Sequence, residues 1–332
     1  MNWANGIAKL RLRMAAPRCA RWSFVLAAFL AATVGGCSGN FFWVKKASTY
    51  IAFFPERFPG PSDFVGARRP QPTPALNGLQ STYNGTAFVG MLDKAEVTKV
   101  LPFGFSLANQ ITVSNKHPVI FLIGDQREPS FLEGGNVTTI CQSCGYKEMI
   151  LLVPFVVRDP DTRWHNYAVR MYLDDGSAVL GGNSIYGYAK QYAFLIKTEQ
   201  TGVTKHEIYP VFGGLIFRSE VELTGPWVPV SQSAASVPRW ADLAQILKAP
   251  VLGQQPSDDF KPLALICSYW EWDFANAEVA PAASKHQIAR KFRDGMENWV
   301  SATLVPNVAD GAVSMRGIRW RLAEPPQGCQ PP

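Results

Sequence analysis

Charge is scarce in this chain of 332 residues: Asp, Glu, Lys and Arg make up 17% of it, and histidine occurs only four times. No basic run or basic aromatic motif marks a nucleic-acid surface. The formal charge of +6 comes from the amino end, where Lys9, Arg11, Arg13, Arg18 and Arg21 precede position 37 in a segment without Asp or Glu; removing those five leaves about +1. Nucleic acid is excluded as a partner. A Gly-x-Ser-x-Gly elbow and a phosphate-binding glycine loop are also missing, which leaves serine hydrolase and nucleotide-binding readings without support. His117, His165, His206 and His286 stand far apart without ligand spacing, so neither a metal nor another cofactor is expected. His165, in Arg163-Trp-His-Asn166, reads as a loop residue.

A membrane-spanning run is lacking too. The apolar stretch from Ser23 to Val34 has about 12 residues, against the roughly 20 needed to span a bilayer as a helix. It follows a basic stretch and precedes Gly35-Gly36-Cys37, the three regions of a cleaved export signal. Val34-Gly35-Gly36-Cys37 resembles a lipobox, in which cleavage precedes a cysteine whose thiol carries diacylglycerol. That resemblance implies a lipid anchor on Cys37 and a place in the cell envelope, facing the periplasm. The competing reading is an ordinary secretory signal with a coincidental cysteine.

Of the other cysteines, Cys19 leaves with the signal, and Cys141, Cys144, Cys267 and Cys329 remain for an oxidising compartment. Cys141-Gln-Ser-Cys144 has redox-motif spacing, yet neither a βαβ pattern nor a second metal-ligand pair surrounds it, and a structural bridge is the expectation.

What is abundant is apolar. Hydrophobic residues reach 47%, with 20 Phe and 10 Trp, and 25 Pro and 27 Gly are spread along the chain. This composition predicts a β-rich fold with a sizeable core. Three regions are expected: a signal peptide over 1–36, a proline-rich tether over 37–78 and a folded domain over 79–332. In the tether, Phe41, Phe42, Trp43, Phe53 and Phe54 are candidates for packing on the domain instead. Within the domain, 86–89, 119–123, 149–157, 167–172 and 317–322 read as strands. Helices are predicted over 94–101 and over 284–304, where Ile288, Phe292, Met296, Trp299 and Val300 recur at helical spacing. Asp174-Asp175-Gly176 reads as a hairpin turn.

Three segments carry the functional signal: Glu96-Val-Thr-Lys-Val-Leu-Pro102, Gly145-Tyr-Lys-Glu-Met-Ile-Leu-Leu-Val-Pro154, and the stretch from Met171-Tyr-Leu-Asp to Tyr188-Ala-Lys-Gln191. Together they resemble the acetoacetate decarboxylase superfamily, whose members have a helix ending in a Leu/Val-Pro step, a Tyr-x-Glu strand followed by Val-Pro, and a Met-Tyr-Leu-Asp strand leading to the catalytic lysine. The resemblance covers about residues 80–200 well. It implies an α+β, β-rich fold in which a bent antiparallel sheet or barrel encloses an apolar cavity, and an association of like chains.

Carried over residue by residue, the resemblance implies Lys190 as a Schiff-base lysine and Glu148 as an active-site glutamate, with Tyr146, Tyr186, Tyr188, Gln191 and Leu122 lining the pocket. A lysine attacks a ketone only as the free amine, and an apolar pocket favours that form. The implied activity is that of a carbon–carbon lyase, decarboxylase or aldolase and dehydratase, acting on a small keto acid or ketone. Five positions depart from the family pattern: Gln191 replaces its second lysine, Ala189 the preceding proline, Asn183-Ser184 an Arg-Glu pair, and Leu122 a second glutamate. A counterpart of the family's substrate-carboxylate arginine is also missing, since Tyr83 stands roughly there. Because these changes remove charge, a non-catalytic lipoprotein holding an apolar small molecule in the same cavity is the alternative expectation.

Overall fold

A computed structural model describes residues 49–52, 60–66, 78–111, 115–139, 145–158, 161–211, 214–237, 240–254, 265–288, 302–305 and 312–323. The signal segment, Cys37, Cys141, Cys144, Cys329 and the tether aromatics named above lie outside the described residues. Cys267 is buried and disulfide-bonded.

Seventeen described strands join one hydrogen-bonded sheet. In chain order they are β1 (Thr49–Ala52), β2 (Gly78–Asp93), β3 (Phe105–Leu107), β4 (Lys116–Glu133), β5 (Asn136–Thr139), β6 (Gly145–Arg158), β7 (Asp161–Leu173), β8 (Lys190–Gln200), β9 (Val203–Pro210), β10 (Phe217–Leu223), β11 (Val228–Pro229), β12 (Val251–Gln254), β13 (Leu265–Ser268), β14 (Trp270–Asp273), β15 (Glu278–Ile288), β16 (Ala302–Val305) and β17 (Ala312–Ala323). Among the described residues three α-helices interrupt them: α1 (Lys94–Thr98), α2 (Gly176–Tyr186) and α3 (Trp240–Leu247). Among the described residues, no helix is long and apolar enough to cross a membrane.

Nine strands close on themselves, each bonded to the next: β2, β4, β6, β7, β8, β9, β10, β15, β17 and back to β2. The β7–β8 pair is parallel; the other eight pairings are antiparallel. Phe88, Phe121, Tyr172, Leu195, Ile208 and Phe217 pack together inside this barrel. Each such large side chain taken out of water contributes about 1.5–3 kcal/mol.

A second core lies against the outside of one barrel wall. There Leu122, Ile150, Met171, Val313 and Met315 meet Trp270 and Trp272, together with Trp240, Leu243 and Ile246 of α3. The segment β12 to β14 leaves the barrel at β7 and rejoins it at β17, so it arches over that wall. Strands between two cores need apolar residues on both faces. This explains why Val119–Ile123 and Met149–Val153 are unbroken apolar runs while the outlying strands alternate.

The strands read from sequence all fall within β2, β4, β6, β7 and β17, and the helix over 94–101 is α1 with a following turn. Four expectations are corrected. The helix over 284–304 is not formed at its ends, since residues up to Ile288 continue β15 and 302–305 form β16; its middle lies outside the described residues. His165 sits fully buried in β7 rather than in a loop. Asp174-Asp175-Gly176 is no hairpin: Asp175 caps the N-terminus of α2, its Oδ1 accepting from the Ala178 amide at 2.6 Å. Finally, the tether is not wholly a spacer. Its strand β1 pairs with β16, and Phe64 is buried and stacked on Phe155 with ring centroids 3.7 Å apart.

Candidate active site

The candidate residues converge on the face of the barrel wall that looks into the second core. Side chains alternate along a strand, so Tyr146 and Glu148 share the face of Ile150 on β6. Cross-strand register places Glu148 opposite Gly124 of β4 and Leu173 of β7, and Lys190 of β8 beside Met171 of β7. Lys190 and Glu148 therefore lie on the same face of the wall, outside the closed barrel, in the layer between that wall and the arch.

Helix α2 builds the lysine's slot. A Cβ added to Gly182 would lie 2.2 Å from Lys190 Cδ and 2.3 Å from Cε, so a larger residue there pushes the end of the lysine side chain aside. Gly187, in the left-handed region at φ 62°, ends the helix and turns the chain into β8. Asn183 clamps the lysine backbone from both sides: its Oδ1 accepts from the Lys190 amide at 2.7 Å, and its Nδ2 donates to the Lys190 carbonyl at 3.0 Å. The Nζ of Lys190 lies 3.2 Å from the Ala178 carbonyl. Burial holds the Lys190 ammonium below its ordinary pKa, opposed by the charges of Glu148 and Asp175.

Glu148 is buried at 3% exposure. Burial pushes its carboxyl above the ordinary range, while Lys190 and a hydrogen bond from Gln126 pull the other way. Gln126 Nε2 donates to Glu148 Oε1 at 2.5 Å. Four phenols lie on this face, those of Tyr83, Tyr146, Tyr186 and Tyr188. Tyr186 and Tyr188 stack with centroids 5.9 Å apart, and the Tyr188 hydroxyl accepts from Trp270 Nε1 at 2.6 Å. Tyr83 is fully buried over the close approach of Gly85 and Gly124, and among the described residues its hydroxyl has no hydrogen-bond partner. Burial raises the pKa of Tyr83, Tyr146 and Tyr188, so all three are neutral donors at ordinary pH. Among the described residues, no group of three His, Cys, Asp or Glu side chains is arranged to hold a metal.

Of the residues named from sequence, Lys190, Glu148, Tyr146, Tyr186, Tyr188 and Leu122 are all on this face or pack into its core. Gln191 is not. It alternates with Lys190 along β8 and falls on the side of Ala193 and Leu195, toward the barrel interior. Sequence reasoning missed Gln126 and Gly182. A glycine 8 residues before the lysine was readable as a helix flaw, but not as the wall of a slot.

A half-buried lysine and a buried carboxyl share this face with four tyrosines in a β-rich shell. The chain belongs to the acetoacetate decarboxylase (ADC) family, whose model matches residues 69–281. It is similar in structure to the acetoacetate decarboxylase of Legionella pneumophila, with TM-score 0.50 and 13% identity over 83% of this chain and 97% of that one. A second structure, described as an acetoacetate decarboxylase, has TM-score 0.51 and 11% identity over 75% of this chain and 88% of that one. These likenesses establish the fold. No curated protein is recognisably similar in sequence.

Proposed function

We propose that this chain is an envelope lipoprotein whose domain acts as a Schiff-base lyase on a small keto acid or ketone. The observation that carries the reading is Lys190, seated in a slot cut by Gly182 and kept toward the free amine by burial next to Glu148. The amine adds to a substrate carbonyl, water leaves, and the resulting iminium accepts the electron pair released when a neighbouring carbon loses carbon dioxide or a proton. Protonation of the enamine at carbon and hydrolysis then regenerate Lys190. Glu148 exchanges the protons, and the Tyr83 hydroxyl, unpaired among the described residues, is a donor available to a substrate oxygen.

The test is turnover. Wild-type protein is expected to release carbon dioxide from acetoacetate or to condense pyruvate with an aldehyde, and Lys190→Ala to do neither. Equal background rates from both proteins contradict the reading. The export signal and Cys37 support the anchor, and Cys37→Ser is expected to move the protein from the membrane fraction to the soluble periplasm; unchanged fractionation contradicts it.

The second reading, a non-catalytic carrier of an apolar small molecule, is favoured by Leu122. It is fully buried where the family has a glutamate, which leaves that part of the face without charge.

A further inference from the structure

Gln126 is a buried amide on β4, opposite Tyr83 of β2 and Tyr146 of β6. Its carbonyl end meets the indole of Trp320 on β17, whose Nε1 donates to Gln126 Oε1. An indole N–H can only donate, so the group facing it must be the amide oxygen. The Ser81 hydroxyl, 2.8 Å from the same Oε1 and 2.9 Å from the Arg127 carbonyl, shares its one proton between those two acceptors. With its oxygen committed, Gln126 presents its NH2 to Glu148 Oε1. Turning the amide over would set donor against donor at Trp320 and acceptor against acceptor at Glu148.

We propose that Gln126 is a positioning residue for Glu148, oriented by Trp320, which keeps Oε1 as an acceptor and makes Oε2 the oxygen that gains and loses the proton. This rests on the reading of Glu148 as the group that moves protons in the lyase. The consequence is directional. Proton exchange with substrate occurs at one face of the carboxyl, and the ionised form is favoured against the burial that opposes it. Gln126 touches no reacting atom and acts only through Glu148.

The experiment titrates the Glu148 carboxyl carbon by NMR in the full chain labelled with 13C-glutamate, without substrate, the resonance being identified by its loss in Glu148→Gln. Gln126→Leu is expected to raise the Glu148 midpoint by about one pH unit. Trp320→Phe, which keeps an aromatic ring but removes the donor, is expected to raise it by a smaller amount. A midpoint unchanged in Gln126→Leu overturns the proposal. Should Gln126→Leu fail to fold, Trp320→Phe decides alone: a raised midpoint supports the orienting role and an unchanged one overturns it. Because the readout needs no imine at Lys190, failure of the lyase reading would appear separately, as absent turnover beside a normal shift.

Discussion

Gly182 and Lys190 fit as groove and ridge: a methyl group at residue 182 would overlap the lysine stem at 2.2–2.7 Å along Cδ, Cε and Nζ. Gly182→Ala is therefore expected to leave the domain folded while displacing the amine. Alanine favours a helix by about 1 kcal/mol over glycine, whereas a misplacement of about 1 Å costs on the order of 100-fold in rate. The check is the rate of imine formation together with the melting temperature. Normal reactivity in a folded variant contradicts the slot.

Glu148 raises the pKa of Lys190 when ionised, against a burial that lowers it. Glu148→Gln is thus expected to lower the Lys190 midpoint further below its ordinary value of 10.5. The pH dependence of amine labelling at Lys190, compared between the two proteins, tests the sign. A midpoint that rises on substitution would refute the coupling.

Three buried imidazoles make the fold sensitive to acid. Burial lowers His117 and His206 from 6.5 to about 4 and His286 to about 3. Above about pH 6.5 both folded and unfolded chains hold them neutral. As the pH falls below that, the unfolded chain takes up protons that the folded one refuses, so stability is lost progressively down to about pH 4, and to about pH 3 for His286. On the order of 1–2 kcal/mol per histidine should be gone by pH 5. Urea unfolding at pH 7 and pH 5 measures this, and equal stabilities would count against it.

Trp270 donates to Tyr188 at 2.6 Å inside the second core. Trp270→Phe removes that donor and opens space, and is expected to destabilise the domain by about 1–3 kcal/mol. Denaturant titration reads the change, and a loss within error means the bond contributes little.

How much of this was written in the sequence depends on the range of the interaction. Val119–Ile123 and Met149–Val157 announced themselves as buried strands because both faces of the shared wall are covered. The helix over 284–304 was misread because Ser284, His286 and Ile288 also alternate as a strand, and pairing of β15 with β10 decides between the two patterns. Helix α2 was invisible, since Gly176, Gly181 and Gly182 are poor helix formers; Asp175 as a cap and the need to seat Lys190 override propensity there. Lys190, Glu148 and the tyrosines were legible through motif resemblance. Gln126 was not, because its partners Glu148 and Trp320 lie 22 and 194 residues away and meet it only across strands.

A lysine that forms an imine with its substrate can be caught by borohydride reduction. The full chain is incubated with acetoacetate, pyruvate or 2,4-pentanedione, reduced, digested and mapped by mass spectrometry. An adduct is expected on Lys190 and is expected to disappear in Lys190→Ala. No adduct on a folded protein with any of the three carbonyl compounds would contradict imine formation.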